Sequence, residues 1–139
     1  MTTPYEAFGG HDFFEALVAD FYAGVAQDAG LRPMYPESDL GPAERRLRMF
    51  LEQYWGGPHT YSDERGHPRL RMRHAPFDIT EHHRDLWLGH MRAALDNREL
   101  PPDLDEQMWE YLVMAAHAMV NQPTEPVQGL QLDPPTMRD

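Results

Sequence analysis

The segment from His67 to Phe77 contains two histidines and three arginines, with a proline near each end. Pro68 and Pro76 leave room for a helical turn or two, because proline restricts both its own backbone and that of the residue before it. His74 therefore lies near the end of a short, stiff segment. A short helix that presents one histidine can hold a metal ion or a cofactor iron. A solvated basic loop has the same composition, and the segment alone favours that interpretation.

Eight histidines raise the question of a metal site. His82 and His83 are adjacent and would point about 100° apart on a helix, so they do not form the i, i+3 or i, i+4 pair that faces one ligand. No His-Glu-x-x-His motif is present. A mononuclear zinc site that uses His67 or His74 is left as an alternative. The remaining histidines are expected on the surface, except for a partly buried His117: His11, His59, His82, His83 and His90.

Composition limits the class of protein. The chain has 139 residues, which suits one domain, and a formal net charge of -11, which disfavours nucleic acid and anionic membranes as partners. It has no cysteine, so disulfides and thiolate metal sites are excluded. No apolar run approaches the length of a membrane span, and the N-terminus does not resemble a signal peptide. These features predict a cytoplasmic protein.

Apolar residues recur at the i, i+3, i+4 spacing of amphipathic helices in four segments. We expect these helices to begin at Asp12, at Pro42, at Thr80 and at Asp103 or Asp105, and to end near Gly30, Gly56, Asn97 and Asn121. Residues 31–40 are expected to form a corner, and residues 59–68 an exposed polar loop. No segment shows sustained strand alternation. We therefore predict one all-α domain over residues 1–121, followed by a proline-rich tail over residues 122–139 with little fixed structure.

The chain has an unusual number of large aromatic side chains for its length. They come from different segments of the chain: Tyr22, Tyr35, Tyr54, Trp55, Trp87 and Trp109. Such side chains can simply form the core, or they can line a cavity for a flat apolar cofactor. A haem needs an axial ligand, a shaped distal pocket and cations for its propionates. His74 and the arginines beside it could supply the ligand and the cations.

Several of these motifs together resemble the truncated haemoglobins, and within them group II, the O-type. The resemblance covers roughly residues 5–121. Its most specific parts are Phe21-Tyr22, Met34-Tyr35-Pro36, the run from Arg45 to Pro58, the segment from His67 to Phe77, Asp85-Leu86-Trp87-Leu88, and Ala115-Ala116-His117 followed by Val120-Asn121. The resemblance implies a two-over-two helical sandwich around haem b.

The resemblance also implies the residues of the haem site. His74 would be the proximal iron ligand, while Tyr22, Tyr35 and Trp87 would donate hydrogen bonds to a ligand on the distal side. Ala43 would stand where many globins have a distal histidine or glutamine. The remaining contacts to the haem and its propionates would come from Arg46, Leu47, Phe50, Leu51, Arg69, Arg73 and Phe77.

The expected function follows from the number of hydrogen-bond donors on the distal side. Hydrogen bonds to a charged acceptor contribute about 1.5–3 kcal/mol each, so two or three of them would slow the release of bound dioxygen. We therefore expect nitric oxide detoxification or peroxide chemistry more than oxygen transport, with carbon monoxide as a further ligand. An unidentified reductase and a homodimer or larger homo-oligomer are the expected partners. The alternatives are an oxygen store, a gas sensor and a helical interaction module without a cofactor.

Overall fold

The computed structural model describes residues 2–122, with the side chain of Arg71 left out. This part of the chain is helical and contains no strand. Its helices are α1 (Pro4–Phe8), α2 (Gly10–Ala26), α3 (Gly41–Tyr54), α4 (Thr60–Arg65), α5 (Leu70–His74), α6 (Glu81–Asp96) and α7 (Pro102–Met119), with a 3-10 turn at Arg32–Met34. The prediction of an all-α fold is confirmed. Residues 123–139, and with them nearly all of the predicted tail, lie outside the described residues.

The chain begins with a short helix that the sequence pattern did not indicate. The Thr3 hydroxyl accepts from the Glu6 amide, and the Glu6 carboxylate accepts from the Thr3 amide, which together cap α1. Gly9 then turns the chain with φ +128°, a conformation that favours glycine. Because of this turn, α2 begins at Gly10, and the predicted cap Asp12 lies inside the first turn. A carboxylate is still favourable at that helix end.

Helix α2 lies at the centre of the core. It packs against α3 on one side and α6 on the other, and α6 packs in turn against α7. Several α2 side chains are fully excluded from solvent: Phe14, Leu17, Val18, Phe21 and Val25. Burying an apolar side chain of this size contributes about 1.5–3 kcal/mol, so this stripe fixes the position of α2 among its neighbours.

The prediction of an exposed loop over residues 59–68 is wrong in part, because α4 forms there. Ser62 is bonded twice to Gln53 on α3: the Gln53 Nε2 atom donates to the Ser62 hydroxyl over 2.8 Å, and the Ser62 amide donates to Gln53 Oε1 over 2.9 Å. Tyr61 is buried against Phe50, with 5.7 Å between ring centroids. These partners come from another helix, so local periodicity contains no signal for α4.

Helices α6 and α7 begin at or close to the residues predicted from the sequence. Thr80 caps α6 as predicted, and His83 completes a reciprocal capping pair with it. Helix α7 begins at Pro102, ahead of the predicted cap Asp103, since proline is tolerated in a first turn. None of the described helices is long and apolar enough to span a bilayer.

The histidines outside the His67–Phe77 segment are less uniform than predicted. His59 and His82 are exposed, as expected, but His117 is exposed too, so its predicted partial burial is wrong. It lies on the outer side of α7, where its Nε2 atom is 3.5 Å from Arg84.

Two other histidines connect neighbouring helices by contacts with carboxylates. His11 Nδ1 lies 2.8 Å from Glu52 on α3, and His90 Nε2 lies 2.6 Å from Asp28 at the end of α2.

Candidate functional site

A cavity of about 520 Å³ lies among α2, α3, α5, α6 and α7. This volume is within the range of roughly 300–1,000 Å³ that is usual for cofactor and small-molecule sites. Its wall is mainly apolar, and polar groups enter it at a few places. The predicted site residues that line it are Tyr22, Tyr35, Ala43, Arg46, Leu47, Phe50, Leu51, Arg73, His74, Phe77 and Trp87.

His74 ends α5 and faces this cavity with a half-buried side chain. Its Nδ1 atom lies 2.7 Å from the carbonyl oxygen of Leu70. A carbonyl only accepts, so Nδ1 carries a proton, and in the neutral imidazole the lone pair of Nε2 is then free. This is the arrangement in which a histidine binds a metal through one nitrogen while the other is oriented by a backbone carbonyl.

The zinc alternative lacks a ligand set in the part of the chain that the structure describes. A catalytic zinc ion needs three protein ligands and a structural one needs four. Within residues 2–122, no three histidine, aspartate or glutamate side chains come together as a metal site. Two imidazoles line the cavity, but Nδ1 of His83 already accepts from the Thr80 amide, so that His74 is the one with a free nitrogen lone pair. One such imidazole in an apolar cavity suits a metal that arrives with its remaining donors, as the iron of a porphyrin does.

Tyr22, Tyr35 and Trp87 meet in one part of the cavity although they come from α2, the 31–40 corner and α6. The rings of Tyr22 and Tyr35 lie edge to face with 5.6 Å between centroids. The Tyr22 hydroxyl and the Trp87 indole lie close enough to the Tyr35 hydroxyl to lower its pKa. Trp87 is fixed by the buried Phe21, with 5.0 Å between ring centroids.

The two tyrosines keep their protons at neutral pH. Burial raises the pKa of Tyr22 well above its usual value near 10, and the neighbouring Tyr35 raises it further. Burial also raises the pKa of Tyr35, although its hydrogen bonds with Tyr22 and Trp87 oppose this. Both hydroxyls are therefore O–H donors, beside an indole N–H that can only donate. The three groups can hold an acceptor atom that gains negative charge.

Apolar side chains surround the remainder of the cavity. Leu47, Phe50 and Leu51 face it from α3, as their common helical face predicts, and Phe77 faces it after α5. Ala43 is buried, with 4% of its surface exposed, and its small side chain lines the wall one turn before Leu47. These residues exclude water without offering a competing ligand.

Of the three arginines predicted to contact the haem, two line the cavity and one does not. Arg46 lines the cavity and donates to Glu37 over 3.0 Å, and Arg73 lines it while donating to backbone carbonyls. Arg69 is exposed and is not part of the cavity wall. It directly precedes α5 with φ +44°, in the left-handed region of backbone conformation. A contact of Arg69 with a haem therefore gains no support from the structure.

Further cavity residues were missed by sequence reasoning. They are Tyr61, Arg65, Ile79, His83, Arg84 and Tyr111, among others. Tyr111 is part of the apolar stripe of α7 and could have been proposed from it. Arg65 fell in the predicted loop, and Arg84 lies off the stripe of α6. Local sequence patterns do not mark Arg65 or Arg84 as cavity residues, because only the packing of the helices brings these side chains to the cavity.

These residues fit a haem. The chain offers one imidazole with a free nitrogen, an apolar cavity of suitable volume, neutral donors in one region and cations at the rim. Packed helices around a haem cavity with a proximal histidine are the arrangement found in globins.

Comparison with known proteins agrees with this class. The family model for bacterial-like globins matches residues 3–121. The group 2 truncated haemoglobin of Bacillus subtilis is 44% identical over 88% of this chain and 91% of its own length. A thermostable haemoglobin of Thermobifida fusca superposes with a TM-score of 0.85 at 65% identity, covering 86% of this chain and 98% of that one. The group II truncated haemoglobin of Bacillus anthracis superposes with a TM-score of 0.86 at 41% identity, covering 90% and 95%.

The chain belongs to the bacterial-like globin family, and its solved relatives include a truncated haemoglobin of group II. The resemblance inferred from the sequence motifs and the truncated globin fold are both confirmed. Proteins of this family bind haem and, through it, diatomic gases.

Proposed function

We propose that this protein binds haem b in the cavity through the Nε2 atom of His74 and holds a diatomic gas beside Tyr22, Tyr35 and Trp87. One observation carries the proposal. A histidine with a free ring nitrogen and three neutral hydrogen-bond donors line the same apolar cavity. Arg46 and Arg73 are the predicted cations on its rim whose position supports contacts with the haem propionates.

Haem, when bound, supplies a ferrous iron that binds dioxygen, nitric oxide or carbon monoxide and exchanges single electrons. The residues of the chain control what happens to such a ligand. Leu47, Phe50 and Leu51 keep water from the cavity, so that hydrogen bonds inside it are stronger than they would be in water. Tyr22 and Trp87, with Tyr35 between them, donate to the polar atom of the ligand.

The number of hydrogen-bond donors favours a protein that consumes its bound gas over one that carries it. Each charge-assisted hydrogen bond contributes about 1.5–3 kcal/mol. If all of this acts on dissociation, each donor slows ligand release by roughly ten- to a hundred-fold. A ligand held by two or three donors leaves slowly, which suits a protein that consumes it. Ala43 also leaves space in the wall for a second small molecule.

Two reactions fit this arrangement. In nitric oxide detoxification, nitric oxide, dioxygen and one electron would give nitrate; a haem held by His74 would supply that electron, and a reductase would have to return it. In peroxide chemistry, two electrons from an external donor and two protons would reduce hydrogen peroxide to two molecules of water, with the redox centre supplied by a haem that His74 would hold. We favour the first reaction, because donors that retain dioxygen give nitric oxide time to reach it.

Rapid mixing tests the proposal. Oxygenated protein is mixed with nitric oxide in a single turnover, and nitrate is quantified per haem. We expect one nitrate per haem at a rate far above that of oxygen release, and a slower reaction of the ferric protein with peroxide. Release of dioxygen before any nitrate forms would instead favour an oxygen store or a gas sensor.

A further inference from the structure

His90 and Asp28 connect α6 with the start of the corner over residues 31–40. The Nε2 atom of His90 lies 2.6 Å from the Asp28 carboxylate, which only accepts, so Nε2 carries the proton and donates. The other oxygen of this carboxylate accepts from the amides of Gly30 and Leu31, over 2.7 Å and 3.2 Å. These bonds, that of His90 most of all, lower the pKa of Asp28. The carboxylate is therefore charged at neutral pH and serves two segments at once.

The ring of His90 packs directly on the backbone of α2. Space for the ring exists because residue 24 is glycine: a Cβ atom on Gly24 would lie 2.5 Å from Nδ1 of His90. That distance is well inside the van der Waals contact of roughly 3.5–4.0 Å. One turn earlier on both helices, Trp87 packs on Phe21 with 5.0 Å between ring centroids. Two successive contacts thus determine how α6 lies on α2 beside the cavity.

The pair of His90 and Asp28 lies between two of the distal donors without lining the cavity itself. Trp87 precedes His90 by one turn of α6. On the other side, the Arg32 amide donates to the Asp28 carbonyl over 2.8 Å, and the Tyr35 amide donates to the Arg32 carbonyl over 3.1 Å. The position of Asp28 is therefore passed along the backbone to Tyr35. The pair can influence a ligand in the cavity only by fixing the positions of these donors.

We propose that His90 and Asp28 are positioning residues that hold Tyr35 against Trp87 and so set how firmly these donors retain a gas in the cavity. The inference rests on the proposed function, because the donors act only on a ligand that the haem brings there. Without the bond between the pair, the 31–40 corner is no longer fastened to α6. The two donors then meet one acceptor atom less closely.

Replacing His90 with phenylalanine tests the hydrogen bond, since it keeps a flat ring on Gly24 and removes the donor. Two properties of the haem-loaded protein are measured. The stretching frequency of bound carbon monoxide should rise, because weaker hydrogen bonds to this ligand strengthen its C–O bond. Dioxygen should dissociate roughly two- to tenfold faster, the effect of one net hydrogen bond. His90→Gln restores an N–H donor and should return both values toward those of the wild type.

Gly24→Ala provides a second test, because it leaves both partners in place and displaces the His90 ring. It should change both values in the same direction as His90→Phe, although alanine favours a helix over glycine. Asp20→Ala is the control: it removes the 2.8 Å bond from Arg98, which also joins α2 to the end of α6 but lies off the cavity wall. It should lower the thermal midpoint and keep the wild-type frequency and rate.

The results separate the inference from the function on which it rests. Wild-type values in His90→Phe and Gly24→Ala, or an equal change in Asp20→Ala, would overturn the positioning role. No recovery in His90→Gln would contradict the role of the hydrogen bond, and Gly24→Ala decides alone if His90→Phe does not fold. A wild-type protein that takes up no haem would overturn the proposed function itself.

Discussion

The side-chain amide of Asn121 donates a hydrogen bond to the backbone oxygen of His74, 3.3 Å away, although 47 residues separate the two in sequence. The same amide donates to the backbone oxygen of Phe77 over 2.9 Å, and the Asn121 side-chain oxygen accepts from the Ile79 amide over 2.8 Å. One asparagine after α7 thus fastens the end of α5 and the segment that follows it. The orientation of His74 depends on this contact as well as on its own bond to Leu70.

Replacing Asn121 with alanine should loosen the proximal side of the cavity. The variant loses three side-chain hydrogen bonds, each with a net contribution of about 0.5–1.5 kcal/mol, and the exposure of the site favours the lower end. We expect a lower thermal midpoint and severalfold faster haem loss, measured by transfer to apomyoglobin. Gln122→Ala is the control, because it removes one exposed side-chain bond, to Asp78. Equal effects of the two substitutions would contradict the role given to Asn121.

Replacing His74 with glycine should remove the metal-binding nitrogen while leaving the cavity. The five-coordinate ferrous haem spectrum expected of the wild type should disappear, and added imidazole should restore it by occupying the vacated space. His67→Gly, in the same basic segment but exposed, should keep the wild-type spectrum. An unchanged ferrous spectrum in His74→Gly without imidazole would refute the assignment.

Removing a distal donor should speed the release of dioxygen. We expect Tyr22→Phe and Trp87→Phe each to accelerate dissociation by roughly ten- to a hundred-fold, since each loses a charge-assisted hydrogen bond. Stopped-flow displacement of dioxygen by carbon monoxide measures the rate. Trp109→Phe is the control, because Trp109 packs under Arg92 and does not line the cavity. Release from the wild type as fast as from an oxygen carrier would remove the basis for a reactive function.

The buried tyrosines should make the fold sensitive to alkali. The pKa of Tyr22 is raised above its usual value of about 10, so the unfolded chain releases this proton at a lower pH than the folded chain does. The unfolded state binds fewer protons above pH 10, and the free energy of unfolding therefore decreases as the pH rises past 10. Urea unfolding of Tyr22→Phe should show a smaller decrease over the same interval. Parallel curves for the two proteins would show that Tyr22 does not contribute.

Much of the fold and part of the site could be predicted because they depend on local patterns. The helices α2, α3, α6 and α7 are marked by apolar residues at helical spacing, and a helix with one apolar face has few ways to bury it. The same spacing brings Tyr22 to the buried side of α2 and Leu47 to the inner face of α3. These residues line the cavity as expected.

The sequence alone therefore determines the four long helices and their buried faces, and its resemblance to a known family singles out His74 among the histidines. The tertiary structure decides which side chains reach the rim. Arg65 reaches it because α4 forms on hydrogen bonds from Gln53, whereas Arg69 stays outside because the backbone turns with φ +44°. The first outcome depends on side-chain contacts between two helices, and the second on a single backbone angle. Whether a side chain lies at the cavity rim depends on the angles at which the helices pack. The hydrophobic periodicity within one helix contains no information on those angles.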